Sequence, residues 1–174
     1  MNWIDPLSNF VAALLGGGFT LLGGWLAVRW QSAHEAKSIA AALLSELSAA
    51  DNIMRRGNVD RFYRDTLDHW KETGTVHDRQ SLKDMFGSDP QDALPVYYSM
   101  ASKLGLLPQA LAADIVEYHA FVVGLNRILA GFIGGRDLPP EVVKAVAFSI
   151  ESQWDTITKL RAKLISELDR FVTD

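Results

Sequence analysis

One short stretch of the chain holds side chains whose types and spacing could do chemistry. Residues 64–69 read RDTLDH, so Arg64 and Asp65 are followed by His69 in an R-D-x-x-x-H spacing. Asp65 and His69 are four residues apart and would share one face of a helix, as two metal ligands can. Two ligands do not make a metal site, and the chain's histidines do not cluster: they are His34, His69, His77 and His119. The sequence therefore predicts no metal and no cofactor.

The same six residues resemble the R-[N/D/H]-x-x-x-H motif of HEPN ribonucleases, which are helical bundles that act as dimers. The resemblance implies that His69 handles proton transfer at a ribose 2′-hydroxyl, while Arg64 holds the phosphate and offsets its developing charge. It covers six residues and does not extend to the fold. The alternative is a solvated surface face of an amphipathic helix.

Positive charge is concentrated around this motif. Four arginines lie within ten residues: Arg55, Arg56, Arg61 and Arg64. RNA, a nucleotide-type ligand or an acidic protein partner would suit such a cluster, and a solvated helix end explains it equally well. The net charge of −4 argues against a general nucleic-acid binder.

The elements that must position these residues begin with an uncharged run. Phe10–Val28 has nineteen residues without a charge. A bilayer core about 30 Å thick needs roughly 20 apolar residues in a helix, so this run predicts a transmembrane span. Trp3 before it and Trp25 and Trp30 at its far end are typical of aromatic residues at the two membrane interfaces. A core helix of a soluble protein and a cleaved signal peptide are the alternatives.

Small residues line one face of the predicted span. They recur at every fourth position, as Ala12, Gly16, Thr20 and Gly24. Such a stripe lets helices approach closely in a membrane. We therefore expect identical spans to associate in the lipid, although short spans also carry glycine without a partner.

Charges that flank the span predict its orientation. Residues 1–9 contain no Lys or Arg, whereas Arg29 and Lys37 follow the run. Because positive charge stays on the cytoplasmic side, residues 1–30 are expected to form an anchor in a bacterial inner membrane and residues 31–174 a cytoplasmic domain. The absence of cysteine fits a reducing compartment and excludes disulfides, thiolate metal sites and a cysteine nucleophile.

Apolar residues recur at helical spacing after the span, and no stretch alternates as a strand does. The predicted helices are 31–56, continuous with the span, then Val59–Thr73, Val96–Leu104, Gln109–Ile133, and a last helix from about Pro139 to Val172. Gly57 and Gly74 are expected to end the first two, and a short helix is expected at Leu82–Phe86. The sequence thus predicts an all-α fold in which one transmembrane helix continues into a cytoplasmic helical bundle.

The last predicted helix carries an apolar seam of more than three heptads, broken only at Arg161. Such a seam belongs either to the long core helix of a bundle or to a coiled coil between subunits. Self-association is therefore expected through the span, and the last helix is a second candidate surface for it.

The whole layout resembles the small single-span membrane accessory proteins associated with Cas13b CRISPR systems. That resemblance implies an oligomeric membrane pore with an HEPN-like helical domain that supports anti-phage defence. The leading hypothesis is a homo-oligomeric inner-membrane protein, not an enzyme, whose cytoplasmic bundle senses or binds a partner such as RNA or a protein effector. A membrane-tethered ribonuclease that uses Arg64 and His69, and a plain membrane scaffold, are the alternatives.

Overall fold

The computed structural model describes the backbone of residues 4–76, 94–133 and 138–174, and the side chains of residues 22–76, 94–132 and 138–174. Regular structure within these ranges is entirely helical, which confirms the predicted all-α class. In chain order the elements are α1 (Ile4–Arg56), α2 (Val59–Thr73), α3 (Pro95–Met100), a 3₁₀ helix (Ala101–Leu106), α4 (Gln109–Ile133) and α5 (Pro140–Thr173). The predicted short helix Leu82–Phe86 and the turn at 134–137 lie outside the described residues.

Helix α1 runs for 53 residues without a break, which corresponds to about 80 Å at 1.5 Å per residue. The uncharged run and the alanine-rich segment that follows it belong to this one helix, as the sequence predicted. Helix α1 ends at Arg56, directly before Gly57, as predicted, but Gly57 is not the residue in the left-handed conformation. Asn58 has the positive φ of 49° instead, because asparagine tolerates this region better than other residues with a Cβ. Gly57 only closes the last turn, donating its N–H to the carbonyl of Ile53 at 2.9 Å.

Helix α5 is the element against which α1, α2 and α4 all pack. Its 34 residues span about 51 Å. Ion pairs join Asp51 of α1 to Arg161, and Arg64 and Lys71 of α2 to Asp155 and Glu151. Residue numbers rise along α1 and α2 while they fall along α5. Helices α1 and α2 therefore lie one after the other along α5, both antiparallel to it.

The apolar seam of α5 forms the centre of the core, as expected for the core helix of a bundle. Its buried members are Val143, Ala147, Ile150, Trp154, Ile157, Leu164 and Leu168. Facing residues of α1, α2 and α4 recur at the helical spacing read from the sequence, and those buried most completely include Ala40, Tyr63, Leu67, Trp70 and Leu129. Removal of this surface from water is the main force that holds the four helices together.

Two corners depend on individual residues. Gly74 ends α2 with a φ of 67° and donates its N–H to the carbonyl of Trp70 at 2.9 Å, as predicted. A Cβ at this position would lie 2.5 Å from the Cβ of Pro140, so glycine also permits α2 to meet the start of α5. The predicted helix Val96–Leu104 is instead α-helical only to Met100 and continues as a 3₁₀ helix, which Leu107 closes by donating its N–H to Leu104.

One helix among the residues with described side chains is long and apolar enough to cross a membrane, namely Gln109–Phe132 within α4. This test rests on length and composition, and α4 packs against α5 through Leu125 and Leu129 as a bundle helix. The predicted span Phe10–Val28 is helical along its backbone. Its side chains up to residue 21 lie outside the described set. From Leu22 to Trp30 the side chains are exposed and belong to no part of the core.

Candidate functional site

The guanidinium of Arg64 is held by two carboxylates. Its Nη2 donates to Asp155 of α5 at 2.9 Å and its Nε lies 3.4 Å from Asp60, one turn earlier on α2. The hydrogen bond to Asp155, with smaller help from Asp60, raises the pKa of Arg64. Asp60 also accepts a hydrogen bond from the indole of Trp154 at 2.6 Å. Arg64 therefore joins α2 to α5, and two of its five N–H donors face carboxylates that offset the charge a phosphate would need.

The other two residues of the motif point elsewhere. His69 lies five positions after Arg64, which corresponds to a rotation of about 140° around the helix axis at 3.6 residues per turn. His69 is half-buried, whereas Asp65 is exposed and lies 3.7 Å from Arg61. The structure thus places Arg64 and His69 on different flanks of α2. Among the described residues no group of three or more side chains could hold a metal ion.

The predicted basic cluster is largely matched by acidic side chains. Asp51 binds Arg55 at 2.6 Å, and the pairs of Arg61 and Arg64 are those just described. Arg56 is exposed and forms no ion pair within the part of the chain that the structure describes. Each of the other three arginines has a carboxylate partner, so little unbalanced positive charge remains here to attract RNA or an acidic partner.

A buried ion pair that sequence reasoning did not find lies between α1 and α5. Arg161, the residue that breaks the apolar seam, has a side chain only 8% exposed and contacts Asp51 at 3.1 Å. Burial raises the pKa of Tyr118 of α4, and the nearby charge of Arg161 opposes this with a smaller effect. The break in the seam was the available sign of a buried cation, but its partner lies 110 residues away and has no local pattern to reveal it.

Glu46 of α1 fixes the start of α3. Its carboxylate accepts the backbone N–H groups of Val96 at 2.6 Å and Tyr97 at 3.1 Å. Leu94, which precedes the helix, has no side-chain acceptor of its own, so a residue from another helix supplies the cap. The arrangement is structural, because it satisfies backbone donors that would otherwise be unpaired.

An aromatic cluster holds α3 against α4. His119 stacks on Tyr97 with ring centroids 3.7 Å apart and meets the edge of Tyr98 at 4.8 Å. The imidazole is 9% exposed, and its Nε2 has no hydrogen-bond partner in the described ranges. Burial lowers the pKa of His119, so the neutral form is the one that packs here. The adjoining cavity of about 10 Å³ has at most the volume for one water molecule.

A different surface lies where α1 enters the bundle, and we call it the basal collar. Its members are Trp25, Leu26, Arg29, Trp30, Ala33, His34 and Lys37. Trp25 and Trp30 are 57% and 71% exposed, and the guanidinium of Arg29 lies 5.2 Å from the ring centre of Trp25. Within the described part of the chain, neither Arg29 nor Lys37 forms an ion pair. The collar is therefore both aromatic and cationic, and it shares a stretch of α1 with the exposed apolar residues Leu22 and Val28.

A groove of about 780 Å³ separates the collar from the adjoining corner of the bundle. Leu106, Leu107 and Pro108 form one wall, Phe171 near the end of α5 closes it, and α1 supplies the other wall. Of the predicted packing stripe, Gly24 is described and has no atom within 4 Å of where a Cβ would stand. Ala12, Gly16 and Thr20 lie where side chains are outside the described set.

No protein-family model matches the chain, and no curated protein or solved structure is significantly similar to it. The function is therefore argued from the chain's own residues.

Proposed function

We propose that the chain is a homo-oligomeric inner-membrane protein that presents a cytoplasmic helical bundle for sensing or binding a partner, and that it acts by assembly and not by catalysis. The observation that carries the proposal is the unbroken α1. Its first part is an uncharged run of membrane length, and its last part is built into the bundle core through Ile39, Leu43 and Leu47.

The exposure pattern along α1 supports an anchor. From Leu22 to Trp30 every described side chain is exposed, and from Ala36 onward one face is buried in the core. A soluble protein has little reason to hold Leu22, Trp25 and Trp30 in water on one isolated helix, since a contiguous apolar surface of this kind normally marks an interaction site. A lipid bilayer around residues 10–28 would cover the apolar side chains.

Association of several copies follows from the composition of the same segment. The stripe of Ala12, Gly16, Thr20 and Gly24 would let two spans pack closely. Among the described residues, no atom lies within 4 Å of where a Cβ of Gly24, or of Gly23 off the stripe, would stand. This part of α1 therefore leaves room for a second helix. A ring of such spans could line a membrane pathway, as the resemblance to the CRISPR accessory proteins implies, and opening it would disturb the membrane of an infected cell.

Oligomeric state in detergent tests the assembly. The full chain should enter the membrane fraction, resist extraction by alkaline carbonate, and elute from size-exclusion chromatography with a mass of several subunits. Gly16→Leu and Gly24→Leu should shift it towards the monomer. Gly23→Leu is the matched control, because it adds the same bulk one residue off the stripe. A monomeric wild type, or equal effects of Gly23→Leu and Gly24→Leu, would contradict the proposal.

Two further measurements separate a pore from a scaffold. Liposomes that contain the oligomer should release an entrapped dye, and the Gly24→Leu variant should release less. If the cytoplasmic bundle keeps its full cellular effect when fused to an unrelated span, the protein is a scaffold and the pore is excluded.

A further inference from the structure

The groove at the base of the bundle combines features that suit one class of ligand. Its walls are apolar at Leu106, Leu107 and Phe171, and its α1 edge carries the cations Arg29 and Lys37. Cationic groups beside an apolar surface match an amphiphile whose acidic head and hydrocarbon chain lie next to each other. The volume of about 780 Å³ is within the usual size of a small-molecule site.

The cations of the collar predict that the head group of the ligand is negatively charged. The whole chain is acidic, with a net charge of −4, yet the collar holds two cations that no described carboxylate neutralises. Glu35, which lies on α1 between Arg29 and Lys37, is already bound by Lys103 at 2.7 Å. Arg29, moreover, is positioned over the ring of Trp25, which orders the guanidinium without consuming its charge.

The position of the groove along α1 indicates where its ligand comes from. Trp25 and Trp30 are exposed at the end of the uncharged run, at the level where indole rings prefer to sit in a bilayer. Lys37 lies about 12 Å further along α1 than Arg29, at 1.5 Å per residue. The membrane end of the groove, with Trp25, Val28 and Arg29, therefore lies at the head-group layer if the run spans the membrane. At that level the cytoplasmic leaflet offers anionic lipid, which attracts cations next to a span.

We propose that this groove binds an anionic phospholipid, with Arg29 and Lys37 on its phosphate and an acyl chain against Leu107 and Phe171. The proposal rests on the membrane anchor proposed above, and it adds a specific lipid that joins the base of the bundle to the bilayer. Since Phe171 belongs to α5 and Leu107 to the corner before α4, a bound lipid would contact three parts of the bundle at once.

The test uses the full chain in neutral detergent and three probes: dioctanoyl phosphatidylglycerol, dioctanoyl phosphatidylcholine and inorganic phosphate. Native mass spectrometry and the thermal midpoint report binding. We expect phosphatidylglycerol to bind and to raise the midpoint, phosphatidylcholine to do so much less, and inorganic phosphate to have no effect. The R29Q/K37Q variant should weaken phosphatidylglycerol binding roughly 30-fold, from the typical contribution of each cation beside a span.

Matched variants guard against a general charge effect. K144Q/K159Q removes the same two charges from α5, far from the groove, and should bind the lipid as the wild type does. Ala33→Glu adds an acid between Arg29 and Lys37 on an exposed position and should weaken binding without unfolding the helix.

Several results would overturn the lipid site. They are an equal response to both lipids, an equal loss in R29Q/K37Q and K144Q/K159Q, a full response to inorganic phosphate alone, or a change of subunit number in R29Q/K37Q that shows another subunit in the groove. Failure of the anchor is a separate result, because the chain would then be absent from the membrane fraction.

Discussion

Where α2 lies along α5, cations are held by carboxylates of the facing helix, whereas the cations of residues 25–37 have no carboxylate partner among the side chains that the structure describes. In the first region Arg64 and Lys71 bind Asp155 and Glu151 at 2.9 Å each. In the second region the guanidinium of Arg29 lies over the indole ring of Trp25. The first region uses its charges to hold α2 on α5, whereas the second has two cations that no described carboxylate binds. The described residues therefore favour the base of the bundle over the motif of α2 as the place where a partner would bind.

The largest loss of stability is expected within the buried network. Arg161→Met leaves Asp51 with the exposed Arg55 as its one remaining ion-pair partner among the described residues. Breaking one half of a buried pair typically costs about 3 kcal/mol of unfolding free energy, measurable by chemical denaturation of the full chain in detergent. The double variant Asp51→Leu/Arg161→Met removes both charges and should recover much of the loss. A single variant as stable as wild type would show that the pair contributes little.

The second-largest loss of stability is expected at the corner formed by Gly74. Gly74→Ala forces a residue with a Cβ into positive φ and against Pro140, so we expect a loss of about 2 kcal/mol. Gly124→Ala is the control, because a Cβ there meets nothing within 4 Å and alanine favours the helix by about 1 kcal/mol. We expect Gly74→Ala to lower the unfolding free energy and Gly124→Ala to raise it, both measured by chemical denaturation. A neutral Gly74→Ala would argue that α2 and α5 can separate at this corner.

A smaller effect should depend on pH. Burial holds the pKa of His119 below the ordinary value of 6.5. The unfolded chain therefore takes up a proton at a higher pH than the folded chain does, and the unfolding free energy falls as the pH drops below 6.5. Thermal midpoints measured between pH 7.5 and pH 5 should show this slope, and His119→Phe should reduce it. An unchanged slope in the variant would assign the pH dependence to other groups.

The motif in α2 should matter less for stability than the buried pair. Arg64→Ala removes ion pairs of a side chain that is 43% exposed, so a loss below about 1 kcal/mol is expected. Arg64→Ala and His69→Ala should leave subunit number and membrane association unchanged. Cleavage of RNA by the purified wild type, abolished in both variants, would instead establish the ribonuclease alternative.

The smallest change in folding is expected at the collar. Trp25→Ala and Trp30→Ala remove exposed side chains, and their unfolding free energies should stay within about 0.5 kcal/mol of the wild type. Their effect should appear in the bilayer, where α1 would no longer be held at a fixed depth. The depth of spin labels on α1 in nanodiscs measures this change. A large loss of stability would show that these indoles pack on the protein itself.

Helical periodicity was sufficient to predict most of the fold. The bounds of α2 and α4, the continuation of α1 from the uncharged run, and the buried face of α5 all follow from residues three and four apart. The change to a 3₁₀ helix after Met100 and the left-handed Asn58 were missed, because each depends on hydrogen bonds of one turn and not on a repeating pattern.

The polar contacts were the least predictable part of the molecule. Arg161 was visible as an interruption of a seam, but Asp51, Asp155 and Glu46 looked like ordinary solvated acids until the helices were packed. Arg64 drew attention through a short motif, and its closer partner, Asp155, comes from another helix. The tryptophans of the collar were visible in the sequence, whereas the groove beside it required the corner at Pro108 and the end of α5 to be placed in space.

Because α1 is continuous, it also fixes the rotational orientation of the uncharged run relative to the bundle. With no break between the uncharged run and the buried face at Ala36 and Ala40, the direction in which Gly24 points is fixed relative to the bundle. One residue inserted between Trp30 and Ala36 would turn that direction by about 100°, and four would turn it by only about 40°. The faces through which neighbouring bundles meet in an assembly would therefore depend on the angular register of this one helix. We expect an insertion of one residue to prevent the assembly and an insertion of four residues to disturb it much less.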